Sequence, residues 1–198
     1  MPDYRLTPTP ALGPGKAGRF EVDGYCIAEN TGFAMTSISA RTGSQEIVMK
    51  KLKAGLATDL PSAGSFKSNQ GRTAFWTGPG QWMMLASHDD HELQAVDLAK
   101  RLNGDASVTE QNDGWVCFDV TGPDLEAVFE RLAAMDVRQF TTGMATRTVI
   151  ERVACFLLCM ETRTHFRVFA GRSFAHSLLH AVKTALESTS ALTAIKTI

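Results

Sequence analysis

The chain has 198 residues with 20 Lys+Arg, 21 Asp+Glu and 44% hydrophobic residues, a composition near the average for soluble globular proteins that argues against collagen, coiled coil and disorder. At about 150 residues per domain it makes one large domain or two small intimate ones, with a core that needs neither metal nor disulfide support. The net charge of −1 conceals blocks: residues 1–75 carry 9 basic and 6 acidic groups, residues 76–130 carry 2 and 11, and residues 131–198 carry 9 and 4. Such patterning suits docking on other proteins better than wrapping a polyanion.

The opening stretch MPDYRLTPTPALGPGKAG lacks the apolar run of a secretory signal, and no window of about 18 apolar residues could span a bilayer, so a cytoplasmic protein is expected. Pro2, Pro8, Pro10 and Pro14 crowd the first 14 residues. Residues 1–33 therefore read as a Pro/Gly-rich arm ahead of a single body over 34–198.

Within that body AMTSISAR is a strand candidate. In SQEIVMKKLKAG, Val48, Leu52 and Leu56 recur every fourth residue behind a capping Ser44, which predicts a short amphipathic helix. RTAFW and QWMMLA are β-rich runs joined by Thr77-Gly78-Pro79-Gly80, a turn of hairpin length. HELQAVDLAKRLNG predicts a helix with Leu93, Val96, Ala99 and Leu102 on one stripe and a stop at Asn103-Gly104. ASVTE completes an order β-α-β-β-α-β over about 34–110.

The second part, about 115–190, begins with the strand WVCFDVT. Pro123 suits a first helical turn and Asp124 complements its positive end, so DLEAVFERLAAM is predicted as a helix with Leu125, Val128, Phe129, Leu132 and Met135 on its apolar face. ATRTVIERVACFLLCM is apolar on both parities through its second half, as in a strand buried on both faces. HFRVFA sets Phe166, Val168 and Ala170 on one side. The helix RSFAHSLLHAVKTAL, capped by Ser173, aligns Phe174, Leu178, Val182 and Leu186. The order here is β-α-β-β-β-α. Two such units imply an α+β protein made of two ferredoxin-like halves with antiparallel sheets.

Three segments together resemble the gamma subunit of heterotetrameric sarcosine oxidase: WTGPGQWMMLA (76–86), FDVTGPDLEAVFERLAAMD (118–136) and FRVFAGRSFAHSLLHAV (166–182). Gly143, Thr148 and Arg172-Ser173-Phe174-Ala175 match further family positions, while Gly80 and Gln81 replace its usual acidic pair. The resemblance runs over roughly residues 36–187. It implies a fold similar to the folate-binding T-protein, and a noncatalytic role with no cofactor in this chain. It also implies alpha, beta and delta partner subunits that hold FAD, FMN, NAD and zinc. The complex would demethylate sarcosine oxidatively to glycine with hydrogen peroxide, passing the one-carbon unit to tetrahydrofolate or releasing formaldehyde. A free-standing folate-binding protein or one-carbon transferase related to the T-protein is the alternative.

Candidate chemistry is sparse. Cys155 and Cys159, in a strand rising about 3.3 Å per residue, would lie roughly 13 Å apart, too far to share a metal. With Cys26 and Cys117 they are expected to be core thiols. His88-Asp89-Asp90-His91-Glu92 has a metal-like composition but also suits a helix start, and His176 and His180 face away from the apolar stripe. The Gly-Pro turns lack phosphate-binding spacing, and no nucleophile elbow occurs. Trp76 and Trp82 flank one turn as candidate interface anchors, with the downstream acidic block opposing nucleic acid. From 131 to 172 the chain uses Arg seven times and Lys never. Guanidinium groups suit desolvated carboxylate contacts, so Arg147, Arg163, Arg167 and Arg172 join the candidate partner-facing set beside a plain solvated-face reading.

Overall fold

The computed structural model describes residues 9–15, 17–56 and 59–196. In chain order the elements are β1 (Arg19–Val22), β2 (Tyr25–Glu29), β3 (Phe33–Ala40), α1 (Gln45–Leu56), β4 (Phe66–Asn69), β5 (Arg72–Gly78), β6 (Gln81–Ser87), α2 (His88–His91), α3 (Gln94–Leu102) and β7 (Ala106–Glu110). There follow β8 (Trp115–Thr121), α4 (Leu125–Phe129), β9 (Ala145–Ile150), β10 (Val153–Glu161), β11 (His165–Gly171) and α5 (Ala175–Lys196). They form two antiparallel sheets, β4-β5-β6-β3-β7 and β1-β2-β8-β11-β10-β9.

Three apolar clusters define four layers. Val48 and Leu52 of α1 and Leu98 and Leu102 of α3 cover Ile38, Ala74, Trp82 and Met84 on the outer face of the smaller sheet. Leu125, Val128 and Phe129 of α4 and Leu178, Val182 and Leu186 of α5 cover the outer face of the larger one. Between the sheets lie Met35, Phe75, Met83, Leu85, Cys117, Phe156, Leu158 and Phe169, with the rings of Phe75 and Phe169 stacked 5.3 Å apart. Each central strand is thus buried on both faces, which explains runs such as CFLLC that do not alternate.

The duplication is visible in topology. Each half runs strand, helix, three-stranded meander, helix, and the meander returns beside the first strand: β3-β6-β5-β4 in one half and β8-β11-β10-β9 in the other. The halves meet near an approximate twofold. Ser65 bridges Met144, the Phe66 amide donates to the Gly143 carbonyl (2.8 Å), and the Ala145 amide donates to that of Gly64 (2.9 Å). Ser65 and Met144 also close matching turns onto the carbonyls of Ser62 and Thr141. Gly64 and Gly143 sit at φ +75° and +92°, where a Cβ would be strained.

Several expectations are corrected. Residues 19–29, assigned to the arm, form the β1–β2 hairpin, and β2 pairs with β8 from Cys26↔Thr121 to Glu29↔Phe118. Residues 1–8 of the arm lie outside the described residues. The segment after α1 contains β4, a polar strand (FKSN) on the sheet edge, so the first half has one more strand than expected. The buried stripe of α3 is Gln94, Leu98 and Leu102, while Leu93, Val96 and Ala99 are exposed. The helix expected over 124–135 ends at Phe129, and Pro123 precedes it rather than opening it, because Asp124 at φ +45° is the cap. Leu132 and Met135 still pack on the core from the turns that follow. Gly122 is required there: a Cβ would lie 2.4 Å from the Tyr25 ring. The expected order β-α-β-β-β-α of the second part is observed, with ATRTVIERVACFLLCM supplying both β9 and β10, turned by Glu151 and Arg152 at positive φ, a backbone that matches strand twist. Finally, Ser173 lies inside a 3-10 turn without capping by its side chain, and Phe174 is half-exposed.

Candidate functional site

Position 119 places a carboxylate in the otherwise apolar strand β8, on the face that Cys117 turns toward the other sheet. Register puts Arg167 of β11 directly opposite, and His165 shares its side of that strand. Asp119 accepts from Arg167 Nε (2.7 Å) and Nη2 (3.0 Å), from His165 Nε2 (2.8 Å) and from Asn30 Nδ2 (2.9 Å). Burial pushes its carboxyl up, but the hydrogen bonds of His165 and Arg167, the Arg167 charge and Asn30 outweigh that and hold it well below the usual carboxylate range. The Arg167 guanidinium stacks 4.8 Å from the centre of the Phe33 ring. The layer between the sheets therefore changes from aromatic at Phe169 to ionic at Arg167, two residues along one strand.

Beside this network lies a cleft of about 240 Å³, lined by Glu29, Phe33, His88, Glu110, Trp115 and Arg172 among others. The chain before β1 is fastened against it. Arg172 Nη2 donates to the carbonyls of Thr9 (2.6 Å) and Pro10 (3.2 Å), and the buried Glu29 carboxylate accepts from the amides of Ala11 and Gly18. Residues 9–15 and 17–18 are thus tied down rather than extended.

The six candidate interface residues separate. Trp82 is 2% exposed, with its indole N–H on the Pro61 carbonyl (2.9 Å), so it is a core residue and not a surface anchor. Trp76, opposite it across the hairpin, is half-buried against the same cluster. Arg167 is mostly buried, and its desolvated carboxylate is internal. Arg163 is exposed and pairs with Asp124 and Glu126. Arg172 holds the N-terminal segment. Arg147, exposed on the edge strand β9, lies 6.0 Å from the centre of the Phe156 ring. Asp119, Asn30 and His165 were missed by sequence reasoning. The available signal was one acid in WVCFDVT and two basic side chains, His165 and Arg167, at alternate positions of HFRVFA, each interrupting an apolar strand.

The thiols are not poised for chemistry. Burial raises Cys117 far above its ordinary value and pushes Cys155 and Cys159 up to about 11, so they stay protonated at neutral pH. His176 and His180 are exposed on α5. Among the described residues no three His, Cys, Asp or Glu side chains converge closely enough to hold a metal ion. No helix among them is long and apolar enough to cross a membrane.

No protein-family model and no curated protein matches the sequence. Among solved structures, a chain of heterotetrameric sarcosine oxidase from Corynebacterium sp. U-96, in complex with pyrrole 2-carboxylate, matches with TM-score 0.74 and 19% identity over 84% of this chain and 85% of that chain. The fold is that of a sarcosine oxidase chain. Glycine cleavage system aminomethyltransferase T from Bartonella henselae matches with TM-score 0.54 and 13% identity over 78% of this chain. That match covers 44% of the aminomethyltransferase. At these identities both likenesses are of fold. The sarcosine oxidase match covers most of both chains, whereas more than half of the aminomethyltransferase lies beyond the shared part.

Proposed function

We propose that this chain is the noncatalytic gamma subunit of a cytoplasmic heterotetrameric sarcosine oxidase, with FAD, FMN, NAD and zinc held by its alpha, beta and delta partners. The observation that carries this reading is the sarcosine oxidase match over 84% of this chain and 85% of that one, which makes the two chains nearly equal in length. The three motif segments that carry the resemblance lie on the β5–β6 hairpin, the β8–α4 junction and the β11–α5 junction of this chain, and they support the reading. Buried protonated thiols and an Asp119 carboxylate committed to four donors suit a body that contributes surfaces. Met144, Arg147 and Val149, exposed on or beside β9, are the patch we assign to partner contact, where a charged rim would steer and orient docking.

Purification of the tagged full chain from its native cell tests this. Three further subunits should co-purify, and sarcosine should drive peroxide formation by the eluate. A fully assembled, active enzyme that never recruits this chain would overturn the reading. The aminomethyltransferase likeness keeps a second reading, a free-standing folate-binding protein. Saturable binding of tetrahydrofolate by the full chain without partners would favour it.

A further inference from the structure

A second cavity, of about 470 Å³, lies on the outer side of the smaller sheet, between α3 and the start of β5. Its volume is in the range of small-molecule sites. It is lined by Arg72, His91, Gln94, Asp97, Leu98, Lys100 and Arg101. Lys100 and Arg101 are the two basic residues of the acidic block 76–130, and both reach this one cavity. Their place in the last turn of α3 complements the helix dipole. That does not account for Arg72 and His91, which arrive from β5 and α2.

These cations face little opposing charge. Arg72 Nη2 lies 3.5 Å from His91 Nδ1, and none of Arg72, Lys100 and Arg101 forms an ion pair among the described residues. Asp97 is the sole carboxylate in the lining. A protein normally separates or neutralises such groups, because clustered like charges repel. Gln94 lies behind them, against the sheet. It is 6% exposed, its Nε2 faces the carbonyls of Ala34 and Met84 and the Thr36 hydroxyl, and its Oε1 is a buried acceptor with no partner. That oxygen has no surface open to the cavity, so the cations alone set what the cavity takes, and their excess over the single Asp97 carboxylate asks for a small anion.

The geometry points to a binding site for a small oxyanion of the phosphate or phosphomonoester class, with Arg72 and Arg101 as its principal charge partners. The site stands apart from the subunit reading, and its failure would leave co-purification unaffected.

The test titrates the full chain with inorganic phosphate, and separately with sulfate, at constant ionic strength by calorimetry. Saturable one-to-one phosphate binding is expected. Sulfate, a tetrahedral oxyanion of similar size and charge, should compete for the same site. Arg72→Ala and Arg101→Ala should each weaken phosphate by about tenfold or more, the effect of losing one charge-assisted contact. Asp97→Asn, which removes the opposing charge without removing a contact, should tighten it. Melting curves of the variants confirm that each is folded. Absence of saturable binding, or unchanged affinity in folded R72A and R101A, overturns the proposal. So does loss of subunit co-purification in those variants when the wild-type chain binds no phosphate, which would make the cavity a protein-docking surface.

Discussion

The two halves share a strand order but differ in where their fifth strand comes from. In the first half β7 follows α3 through the left-handed Asn103 and Gly104, and pairs with β3 inside one continuous stretch of chain. In the second half the equivalent position beside β8 is taken by β2, from the far N-terminal side of the other half. The first half is therefore complete in its own sequence, while the second is closed by residues that must cross the whole first half in chain distance. Closure by β2 differs in membership more than in loop entropy, since β3 and β7 pair across 66–74 residues and β2 and β8 across 89–95, a ratio worth only about 0.2 kcal/mol. It also makes the N-terminal segment structural, which its proline content conceals.

Removing residues 1–30 should have the largest effect on that contrast. It takes Tyr25 and Ile27 out of the α5-side core, at about 1.5–3 kcal/mol each, and leaves β8 with an unpaired edge. The summed loss rivals a typical domain stability. Hydrogen exchange should show β8 and β11 unprotected while the β3–β6 ladder persists. Collapse of both halves together would show instead that closure of the second supports the first.

Phe75→Ala probes what the halves hold in common. Its ring contacts those of Phe156 and Phe169 from the other half, both at 5.3 Å between centres. The cost of such a truncation is about 3–5 kcal/mol, and a single cooperative transition at lower temperature is expected. Two separated transitions would mean that the inter-sheet layer couples the halves only weakly.

Asp119→Asn acts at the ionic end of that layer and should cost about 2–3 kcal/mol through weakened charged hydrogen bonds to Arg167 and His165. The sign of its pH dependence follows from the depressed carboxyl. Its contribution is complete above the ordinary carboxylate value of about 3.9 and is lost as pH falls from there toward the lower folded value. The gap between wild type and variant should thus be constant from neutrality to about pH 5 and narrow in acid. A gap that stayed open in acid would place the Asp119 effect in packing instead.

What the sequence made legible divides along similar lines. Strands with a polar face or a clear turn, such as WVCFDVT and the β5–β6 hairpin, were readable because alternation and Gly-Pro punctuation are local signals. β1 and β2 were hidden behind prolines, and β4 is too short and polar to announce itself. α3 misled because Gln94 counts as polar in any pattern, yet it is buried with its amide nitrogen among acceptors of β3 and β6. The arginine bias was a sound clue to desolvated carboxylate pairing, but in Arg167 the carboxylate is Asp119 of the same chain. Sequence shows that a guanidinium wants an acid; only the register of β8 and β11 shows which one it has.

Arg147 is the counterpart to Arg167 and should give the smallest change in stability. Both sit on strands of the larger sheet and both approach an aromatic ring, but Arg147 is exposed and its ring contact is the longer, 6.0 Å against 4.8 Å. An exposed contact of this type contributes about 0.5 kcal/mol, so Arg147→Ala should leave the melting curve of the full chain almost unmoved. If the β9 edge meets a partner, the same variant should weaken recovery of the other subunits in tagged purification, and more so at high salt, where the remaining charges are screened. Loss of stability with intact assembly would reverse the assignment, making Arg147 a structural residue like Arg167 and moving the partner surface elsewhere on the molecule.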